Sequence, residues 1–329
     1  CLFTIHNLAY QGEFGVEVLD RSGLPRSLFN MHQLETYGAL NFLKAGCVFS
    51  DHVNTVSPSY ALEIQTAQYG CRLEGLMKHL ADYGRLSGIV NGLDDEWSPV
   101  HAADLASPFS PSDLSGKHAC KMSLLHELGL PELPNVPMAG VVSRLSEQKG
   151  MHMILDAAEE LALLPIQMVI QGLGDPWLAA RFTQLEKRYP DHFRFVQKFD
   201  AGLARRIYAG SDMFLMPSMF EPCGLGQLIA MRFGTVPIVR QTGGLADTVF
   251  DGDNGFVFQE TSAEAFYQAV QRAHKSYTAA DWLATVQRCM GYDSSWVKSG
   301  SDYVKIYEHI LHKRTSKQAA QGQPNRPEI

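Results

Sequence analysis

Cysteine is scarce in this sequence, and its six residues stand far apart. No two of them form a C-x-x-C pair, the spacing on which most structural zinc sites and dithiol motifs depend. This spacing argues against a structural zinc site and against a small scaffold held together by disulfides. We therefore expect a reducing compartment.

Long apolar runs and an excess of basic charge are also missing. The longest apolar candidate, residues 153–170, is interrupted by Asp156, Glu159 and Glu160, so it falls short of the roughly 18 apolar residues that a membrane span needs. The chain carries 28 basic and 35 acidic residues, for a net charge of -7. An acidic balance disfavours nucleic acid and anionic membrane surfaces as partners, and we expect neither.

Several motifs with well-defined chemistry are absent as well. The chain has no G-x-x-x-x-G-K-[ST] phosphate loop and no H-E-x-x-H zinc motif. QGLGDP (171–176) has two glycines after an apolar run but lacks the full G-x-G-x-x-G dinucleotide fingerprint. DGDNG (251–255) begins like a calcium loop, yet Ser262 occupies the twelfth position, where that loop requires glutamate. We interpret it as an Asn-Gly turn.

The 329 residues are enough for about two domains of the usual size, roughly 150 residues each, and a hydrophobic content of 45% can fill two cores. From about Val136 onward, short apolar runs alternate with longer segments of helical period. This pattern predicts βαβ units and a parallel, doubly wound sheet. The predicted strands are 138–142, 166–170, 193–196, 213–216 and 236–239, and the predicted helices are 151–162, 176–188, 201–209, 225–233 and 263–275.

The region before this domain has a different character. SGIVNGLDDEWSPVHAAD (87–104) combines a short apolar strand, an Asn-Gly turn and a Ser-Pro pair, which together indicate a hinge between domains. Residues 1–92 resemble the end of an earlier α/β domain, because CLFTIHNLAY opens on a buried strand and not on methionine. We expect the natural N-terminus and any targeting signal to lie outside this sequence. The polar segment 313–329 is expected to be disordered.

VSRLSEQKG (142–150) places two cations after the first strand of the regular domain. Arg144 and Lys149 stand five positions apart in the loop before the next helix. At the carboxyl end of a strand such a pair can hold a diphosphate, arginine through its planar fork and lysine as a point charge. Taken alone, the loop is more typical of a solvated surface segment.

MPSMFEPCGLGQL (216–228) places an acidic residue between a strand and a helix. A proline fixes the backbone after Glu221, and Gly224, Leu225 and Gly226 bring main-chain N–H groups to the start of the helix. Those groups and the helix dipole favour an anion. Since a carboxylate is repelled by phosphate, Glu221 is predicted to accept hydrogen bonds from the hydroxyls of a neighbouring sugar. The alternative is that Glu221 caps the helix.

RQTGGLADTV (240–249) repeats this arrangement after the following strand. Thr242, Gly243 and Gly244 form a tight turn into a helix. Glycine at such a turn has two possible reasons: it lets a ligand approach the main chain closely, or it adopts the backbone conformation that the turn requires. Taken alone, the segment is interpreted as a turn.

Six motifs in this order closely resemble those of bacterial glycogen synthases and plant starch synthases. They are IHNLAYQG (5–12), DHVNTVSPSYALEI (51–64), LSGIVNGLD (86–94), SRLSEQKG (143–150), FEPCGL (220–225) and TGGLADTV (242–249). The resemblance covers residues 1 to about 312. It implies the GT-B fold, an α/β architecture of two Rossmann-like domains that face each other across a cleft. Residues 1–92 would then be the remainder of an incomplete first domain, and 93–312 the nucleotide-sugar-binding domain.

The resemblance implies a glucosyltransferase. Its partners are ADP-glucose as donor and an α-1,4-glucan, glycogen or starch, as acceptor, with glucose added to the nonreducing end and the anomeric configuration retained. No cofactor or metal ion is implied, since Arg144 and Lys149 offset the charge that develops on departing ADP. The implied location is the bacterial cytoplasm or the plastid stroma.

Particular residues take roles from this resemblance. Glu221 matches the family's essential carboxylate near the glucose hydroxyls, and the turn at 224–226 matches one that cradles phosphate. His6 and Asn7 match residues of the first domain that approach the transferred glucose. Phe199 stands where the family places an aromatic ring on the adenine face.

The chain also departs from the family pattern. Ile229 stands where related transferases often carry a second glutamate, and Arg72 replaces an expected glycine. The Lys-x-Gly-Gly-Leu motif of the first domain is absent. Its C-terminal counterpart is the turn at 242–244, which we assign to nucleotide-sugar binding. Part of the enzyme is therefore expected to lie outside this sequence.

Several alternatives stay open. The chain is a transferase that uses ADP-glucose, a related GT-B glycosyltransferase that uses UDP-glucose, or a non-catalytic nucleotide or glucan binder. A nicotinamide-dependent oxidoreductase is disfavoured by the incomplete glycine fingerprint. The segment 294–311 has helical period; in the family such a helix returns to the first domain, whereas periodicity alone suits a helix that covers its own domain. The oligomeric state is not indicated.

Overall fold

A computed structural model describes residues 1–101 and 103–320, with the side chains of 317–320 excluded. By its contacts the chain divides into two compact units. The first contains Cys1–Asn91 together with the residues from Trp296 onward, and the second is Gly92–Ser295. The boundary between the two units after Asn91 lies within the predicted hinge at 87–104.

The described residues form strands and helices in both units. The strands are β1 (Leu2–Ile5), β2 (Glu13–Phe14), β3 (Glu35–Thr36), β4 (Ala39–Asn41), β5 (His52–Thr55), β6 (Leu86–Gly88), β7 (Met138–Val142), β8 (Gln167–Gln171), β9 (Phe193–Val196), β10 (Met213–Met216), β11 (Val236–Arg240) and β12 (Phe256–Phe258). The helices are α1 (Glu17–Ser22), α2 (Phe42–Phe49), α3 (Pro58–Glu63), α4 (Glu74–Asp82), α5 (Ser115–Leu128), α6 (Met151–Asp156), α7 (Ala158–Leu163), α8 (Pro176–Arg188), α9 (Ala201–Gly210), α10 (Gly226–Arg232), α11 (Gly243–Thr248), α12 (Ala263–Tyr277), α13 (Trp282–Gly291) and α14 (Trp296–Ala320). Two short 3-10 helices lie at Arg26–Leu28 and Glu147–Lys149.

The second unit is built on a six-stranded parallel sheet. Its strand order is β12-β11-β10-β7-β8-β9, so the chain starts in the middle at β7, moves outward to β9, and then crosses back to β10. Strands β8, β10 and β11 are buried along their whole length, as expected for a parallel sheet covered on both faces. The predicted doubly wound sheet is confirmed, and each predicted strand lies within one residue of its expected limits.

Most predicted helices of this unit are also found, within two residues of their limits. The helix predicted at 151–162 is the exception, because Ala157, with a ψ of 6°, separates α6 from α7. The sequence pattern did not predict α5. The buried face of this helix contains the charged residues Lys117 and Lys121. Because these two lysines interrupt the apolar period, the pattern does not indicate a helix.

The first unit contains two small sheets. Strands β1, β5 and β6 form a parallel sheet with β5 in the middle, and β2, β4 and β3 form an antiparallel one with β4 in the middle. Helices α3 and α4 pack on the parallel sheet around Tyr60, Ile64 and Met77, which are buried together with Ile5 and Val53. The Tyr60 hydroxyl accepts a hydrogen bond from Leu8 N at 3.0 Å, so this buried polar group is satisfied.

The last helix, α14, belongs to the first unit. Ser299 Oγ donates to Val90 O at 2.6 Å, and Asn54 Nδ2 donates to the Tyr303 hydroxyl at 3.2 Å. The compact second unit therefore ends at Ser295, whereas the expected domain extended to 312. Of the expected disordered tail, 313–320 is helical and 321–329 lies outside the described residues.

The substitution noted at Arg72 coincides with an unusual backbone. Cys71 and Arg72 have φ values of 49° and 69°, in the left-handed region that favours glycine. Arg72 lies 3.0 Å from Glu13 and its guanidinium carbon lies 5.2 Å from the Tyr37 ring centre. The expected glycine thus matches the backbone, and this chain places an arginine with two side-chain partners there.

All six cysteines lie within the described residues and are free thiols. Burial raises the pKa of Cys47 and of Cys289 to about 12. Among the described helices, none is both long and apolar enough to cross a membrane.

Candidate functional site

The strand order of the second unit reverses between β7 and β10, which are neighbours in the sheet. The chain leaves β7 toward β8 on one side and leaves β10 toward β11 on the other. The two outgoing loops, 143–150 and 217–225, therefore begin side by side at the carboxyl ends of β7 and β10 and lead to opposite sides of the sheet. Open α/β sheets bind ligands in the crevice at such a reversal. Both loops contain residues singled out by the sequence.

The loop after β7 is held close to the loop after β10 by a glycine. Gly150 has a φ of 65°, and a Cβ at this position would lie 1.8 Å from Pro217 O. A larger residue would force the two loops apart. Arg144 is exposed on the first loop, and its Nη2 lies 3.5 Å from Gln148 Oε1.

Lys149 and Glu221 form an ion pair between these two loops. Lys149 Nζ lies 2.5 Å from Glu221 Oε2, and the side chains are 19% and 7% exposed. Ser218 Oγ donates a second hydrogen bond to the same carboxylate oxygen at 3.0 Å. Because little water reaches the pair, its attraction is only weakly screened. The alternative role of Glu221 as a helix cap is not found, since α10 begins without a side-chain cap.

Further hydrogen bonds join the same loops. Met219 N donates to Gln148 O at 2.8 Å, and Gln148 Nε2 donates to Phe220 O at 3.4 Å. Sequence reasoning missed both Gln148 and Ser218. An isolated glutamine or serine beside charged residues carries no signal of its own, although both lie inside the two motifs that the sequence singled out.

The glycine turn before α10 covers a buried glutamine. Gly224 has a φ of 71°, Leu225 is 44% exposed, and Gly226 is the first residue of α10. Beneath the turn, the buried Gln227 donates through Nε2 to Cys223 O at 3.2 Å. The first N–H groups of a helix have no partner within it, so this turn is suited to an anion. The assigned phosphate contact stays a prediction.

The turn at 242–244 packs directly against the loop after β10. A Cβ on Gly244 would lie 2.0 Å from Cys223 O, and Gly244 N donates to Glu221 O at 3.0 Å. Gly243 has a φ of 44°. Close main-chain packing and turn geometry therefore account for both glycines. Thr242 is buried at the start of α11, and the assigned contact of this turn with a nucleotide sugar stays a prediction.

Phe199 lies apart from this group. Its side chain is 88% exposed on the loop after β9, and β8 stands between β9 and β7 in the sheet. The next residue, Asp200, caps α9 by accepting from Leu203 N at 2.9 Å. An exposed ring of this kind can stack on a base. The assigned contact with adenine stays a prediction.

His6 and Asn7 belong to the first unit, at the end of β1. His6 is exposed, whereas Asn7 Oδ1 accepts from Ala9 N at 3.0 Å and stabilises the following turn. Both residues line an open depression of about 450 Å³ with Tyr10 and Gln11. Their assigned approach to a transferred glucose stays a prediction.

Positive charge at the candidate site comes from side chains of the protein. Arg144 and Lys149 supply it on the loop after β7. Across residues 1–101 and 103–320, no group of three or more His, Cys, Asp or Glu side chains is arranged to hold a metal ion. The expected independence from metal stays a prediction.

Two models of known protein families match this chain. Residues 1–79 match the model of the starch synthase catalytic domain, and residues 130–284 match that of glycosyl transferases group 1. The first match lies within the first compact unit and the second within the second unit. The loops 143–150 and 217–225 both fall inside the second match.

Individual relatives are similar over most of the chain. A glycogen synthase of Anaeromyxobacter sp. (strain Fw109-5) is 45% identical over 318 residues, which cover 94% of this chain and 66% of the relative. Glycogen synthase 1 of Bradyrhizobium diazoefficiens is 44% identical over 310 residues, which cover 94% of this chain and 67% of the relative. The chain thus spans about two thirds of the length of the curated relatives that it matches.

A solved structure is similar as well. The catalytic domain of starch synthase IV from Arabidopsis thaliana, bound to ADP and acarbose, matches with a TM-score of 0.89 and 36% sequence identity. The match covers 94% of this chain and 67% of that one.

Proposed function

Because this chain belongs to the family of glycogen and starch synthases, we propose that it transfers glucose from ADP-glucose to the nonreducing end of an α-1,4-glucan. The anomeric configuration is retained in this proposal. The GT-B glycosyltransferase fold expected from the sequence is confirmed. The names of the relatives and the ADP and acarbose bound to the Arabidopsis enzyme support a nucleotide-sugar donor and a glucan acceptor.

The ion pair between Lys149 and Glu221 carries the proposal. It places a cation and a carboxylate in contact at the strand reversal, next to the glycine turn before α10. A nucleotide sugar presents the matching groups side by side, since its diphosphate needs cations and its hydroxyls need acceptors. In the proposed complex the diphosphate lies against Arg144 and Lys149, and the glucose hydroxyls lie against Glu221.

The reaction breaks the bond between the anomeric carbon and the diphosphate oxygen. Negative charge then grows on the departing ADP, and Arg144 and Lys149 stabilise it. The oxygen of an acceptor hydroxyl forms the new bond to the anomeric carbon, and its proton passes to the phosphate of the departing ADP. Preorganised charges of this kind contribute on the order of 3 kcal/mol each to lowering a barrier. The two cations take the role that a metal ion fills in other transferases, so we propose catalysis without a metal or cofactor.

The other assigned residues complete the proposed complex. Phe199 stacks on the adenine, and the turns at 224–226 and 242–244 contact the nucleotide sugar. His6 and Asn7 contact the transferred glucose from the first unit. Exposure favours the assignment of Phe199, because a ring already in water loses no packing when a base covers it.

Calorimetric titration of ADP, and separately of UDP, into the 329-residue chain tests the donor site. We expect tighter binding of ADP, and a loss of at least about 30-fold in ADP affinity for Arg144→Ala, because removing one partner of a charged contact costs on the order of 2–5 kcal/mol. Arg188→Ala is the control, since Arg188 pairs with Glu159 at an exposed position on α8. A preference for UDP would keep the fold and change the donor. Failure to bind either nucleotide would contradict the proposed donor site.

The role of Glu221 is tested by transfer of labelled glucose from ADP-glucose to glycogen. Glu221→Ala should end measurable transfer and leave ADP affinity largely unchanged, because the carboxylate acts at the sugar and not at the diphosphate. Glu159→Ala, in the same exposed pair as Arg188, is the control. Normal transfer by the Glu221 variant, or lost ADP binding, would contradict this role. A wild-type chain that binds ADP but transfers no glucose would favour the non-catalytic binder.

A further inference from the structure

A buried arginine on β11 donates to the main chain of the loop after β10. Arg240, the last residue of β11, is 5% exposed. Its Nε donates to Ser218 O at 2.8 Å, its Nη2 donates to Met219 O, and its Nη1 lies 3.4 Å from Gln259 O. One side chain thus connects the residues that follow β10 with the residue that follows β12, on the far side of β11.

The chemistry of these contacts suits a guanidinium in particular. Arginine stays charged at any pH at which proteins fold, and it is rarely buried unless its donors are satisfied. Here the acceptors are main-chain carbonyls, and two of them belong to consecutive residues, Ser218 and Met219. A planar guanidinium can hold two such carbonyls in one fixed orientation, whereas a lysine ammonium sets no plane. The contacts therefore determine the course of this loop.

The residues that Arg240 holds are the ones that orient the glutamate. Ser218 Oγ donates to Glu221 Oε2 at 3.0 Å, and Met219 N donates to Gln148 O, next to Lys149, at 2.8 Å. A shift of the Ser218 or Met219 carbonyl would therefore move the carboxylate relative to the ammonium group.

We propose that Arg240 is a positioning residue, which fixes the Glu221 carboxylate relative to Lys149 through the main chain of Ser218 and Met219. The proposal rests on the proposed function of the site. Arg240 acts from beneath the loop, because it is buried and its donors face main-chain oxygens. Its loss should therefore impair the step at the sugar and spare the binding of the nucleotide.

Deuterium exchange of the full chain without ligand is the first measurement. Arg240→Met removes the donors and keeps an unbranched stem. We expect faster exchange in peptides that contain Met219, whose amide bonds to Gln148 O, and unchanged exchange in the strands of the sheet. Arg194→Met is the control, because Arg194 lies on β9 and also donates to main-chain oxygens, of Gly129 at 3.0 Å and Pro190 at 3.4 Å, in addition to its ion pair with Glu186 at 2.7 Å.

Transfer kinetics are the second measurement, scaled to the folded fraction. Arg240→Met should lower kcat by about 10- to 100-fold, the loss typical of displacing a reacting group by about 1 Å, with the KM for ADP-glucose unchanged. Arg240→Lys should show a smaller loss, because lysine restores a donor but not the planar fork. Arg194→Met should keep the wild-type kcat.

The outcomes separate the two proposals. Unchanged exchange around Met219, or a wild-type kcat in Arg240→Met, would overturn the role of Arg240. Faster exchange throughout the second unit would also overturn it, since that result means general destabilisation. If the wild-type chain transfers no glucose, the proposed function fails, while the exchange measurement still decides whether Arg240 fixes this loop.

Discussion

A lysine–carboxylate pair lies at each end of the strands of the six-stranded sheet, one at the carboxyl ends (the carboxyl edge) and one at the amino ends (the amino edge). The two pairs are nearly alike in distance and burial. At the carboxyl edge Lys149 Nζ lies 2.5 Å from Glu221, and at the amino edge Lys121 Nζ lies 2.7 Å from Asp212. The exposed fractions are 19% and 7% for the first pair and 9% and 15% for the second. Distance and burial therefore do not distinguish a candidate catalytic pair from a structural one.

The further partners of each pair do distinguish them. Lys121 also donates to Val136 O at 2.8 Å, and Asp212 accepts from Met138 N at 2.8 Å, so this pair is bonded to the start of a strand. The pair at the carboxyl edge instead joins two loops, and the other bond of its carboxylate comes from a serine side chain. The pair at the amino edge is bonded to the sheet itself, whereas the pair between the loops lies at the strand reversal, the position at which open α/β sheets bind ligands.

The largest expected effect is on stability at the amino edge. Lys121→Met should lower the free energy of unfolding by about 3–5 kcal/mol, because it leaves Asp212 buried without its counter-charge. Lys149→Met should cost only about 1–2 kcal/mol, because the loops can move and admit water to Glu221. Urea unfolding of both variants measures the difference. Equal losses would show that the two edges do not differ in this way.

Activity should follow the opposite order in the same variants. Per folded molecule, Lys121→Met should keep transfer from ADP-glucose, and Lys149→Met should lose it. Retained transfer in Lys149→Met would contradict the proposed role of the pair.

A second effect concerns Lys117, one helical turn before Lys121 on α5. Its Nζ donates to Ala209 O, Phe233 O and Thr235 Oγ1 at 2.8–3.1 Å, so it too fixes the amino edge. Burial lowers the pKa of Lys117 from 10.5 to about 8. Burial is also the largest single influence on Lys121, but the charge and hydrogen bond of Asp212 together with those of Tyr277 outweigh it and raise the pKa of Lys121.

Stability should therefore depend on pH through Lys117. Between pH 8 and 10.5 the unfolded chain keeps this proton while the folded chain has lost it, so stability rises with pH across that window. Relative to Lys117→Met, the wild type should gain about 3 kcal/mol from the lower to the upper limit. Urea unfolding at several pH values measures this gain. A difference between the two proteins that stays constant with pH would contradict the lowered pKa.

The smallest effect compares two glycines with nearly the same backbone. Gly129 at the amino edge and Gly150 at the carboxyl edge have φ values of 64° and 65°. A Cβ on Gly129 meets nothing within 4 Å, whereas one on Gly150 meets Pro217 O. Gly129→Ala should cost about 1 kcal/mol from backbone strain alone. Gly150→Ala should cost about 1–3 kcal/mol more, because the loops must separate. Thermal unfolding of both variants measures the difference in lost stability. Equal losses in Gly129→Ala and Gly150→Ala would contradict the close approach of the loops.

The sequence predicts an element of this structure well where its buried residues are apolar, and poorly where charged residues are buried or where several surfaces could cover an apolar face. Strands β7 to β11 of the second unit are predicted within one residue, because a sheet buried on both faces requires short uninterrupted apolar runs, whereas the three-residue β12 is not predicted. Helix α5 was missed because its buried face contains Lys117 and Lys121, which satisfy main-chain oxygens of other elements. The return of α14 to the first unit was left open, because an apolar helical face does not specify which surface covers it.

The sequence by itself determined the positions of β7 to β11 and of the two loops that contain Arg144, Lys149 and Glu221, since composition and period are local properties. Only the tertiary structure decided which charges meet. Lys149 and Glu221 are 72 positions apart, and Lys121 and Asp212 are 91 positions apart. The roles of Ser218, Gln148 and Arg240 likewise appeared only in the structure. Gln148 and Arg240 reach the loop after β10 because β7 and β11 lie on either side of β10 in the sheet, and no local pattern encodes that approach. The contact of Ser218 with Glu221 spans only three positions, but a serine carries no signal of its own.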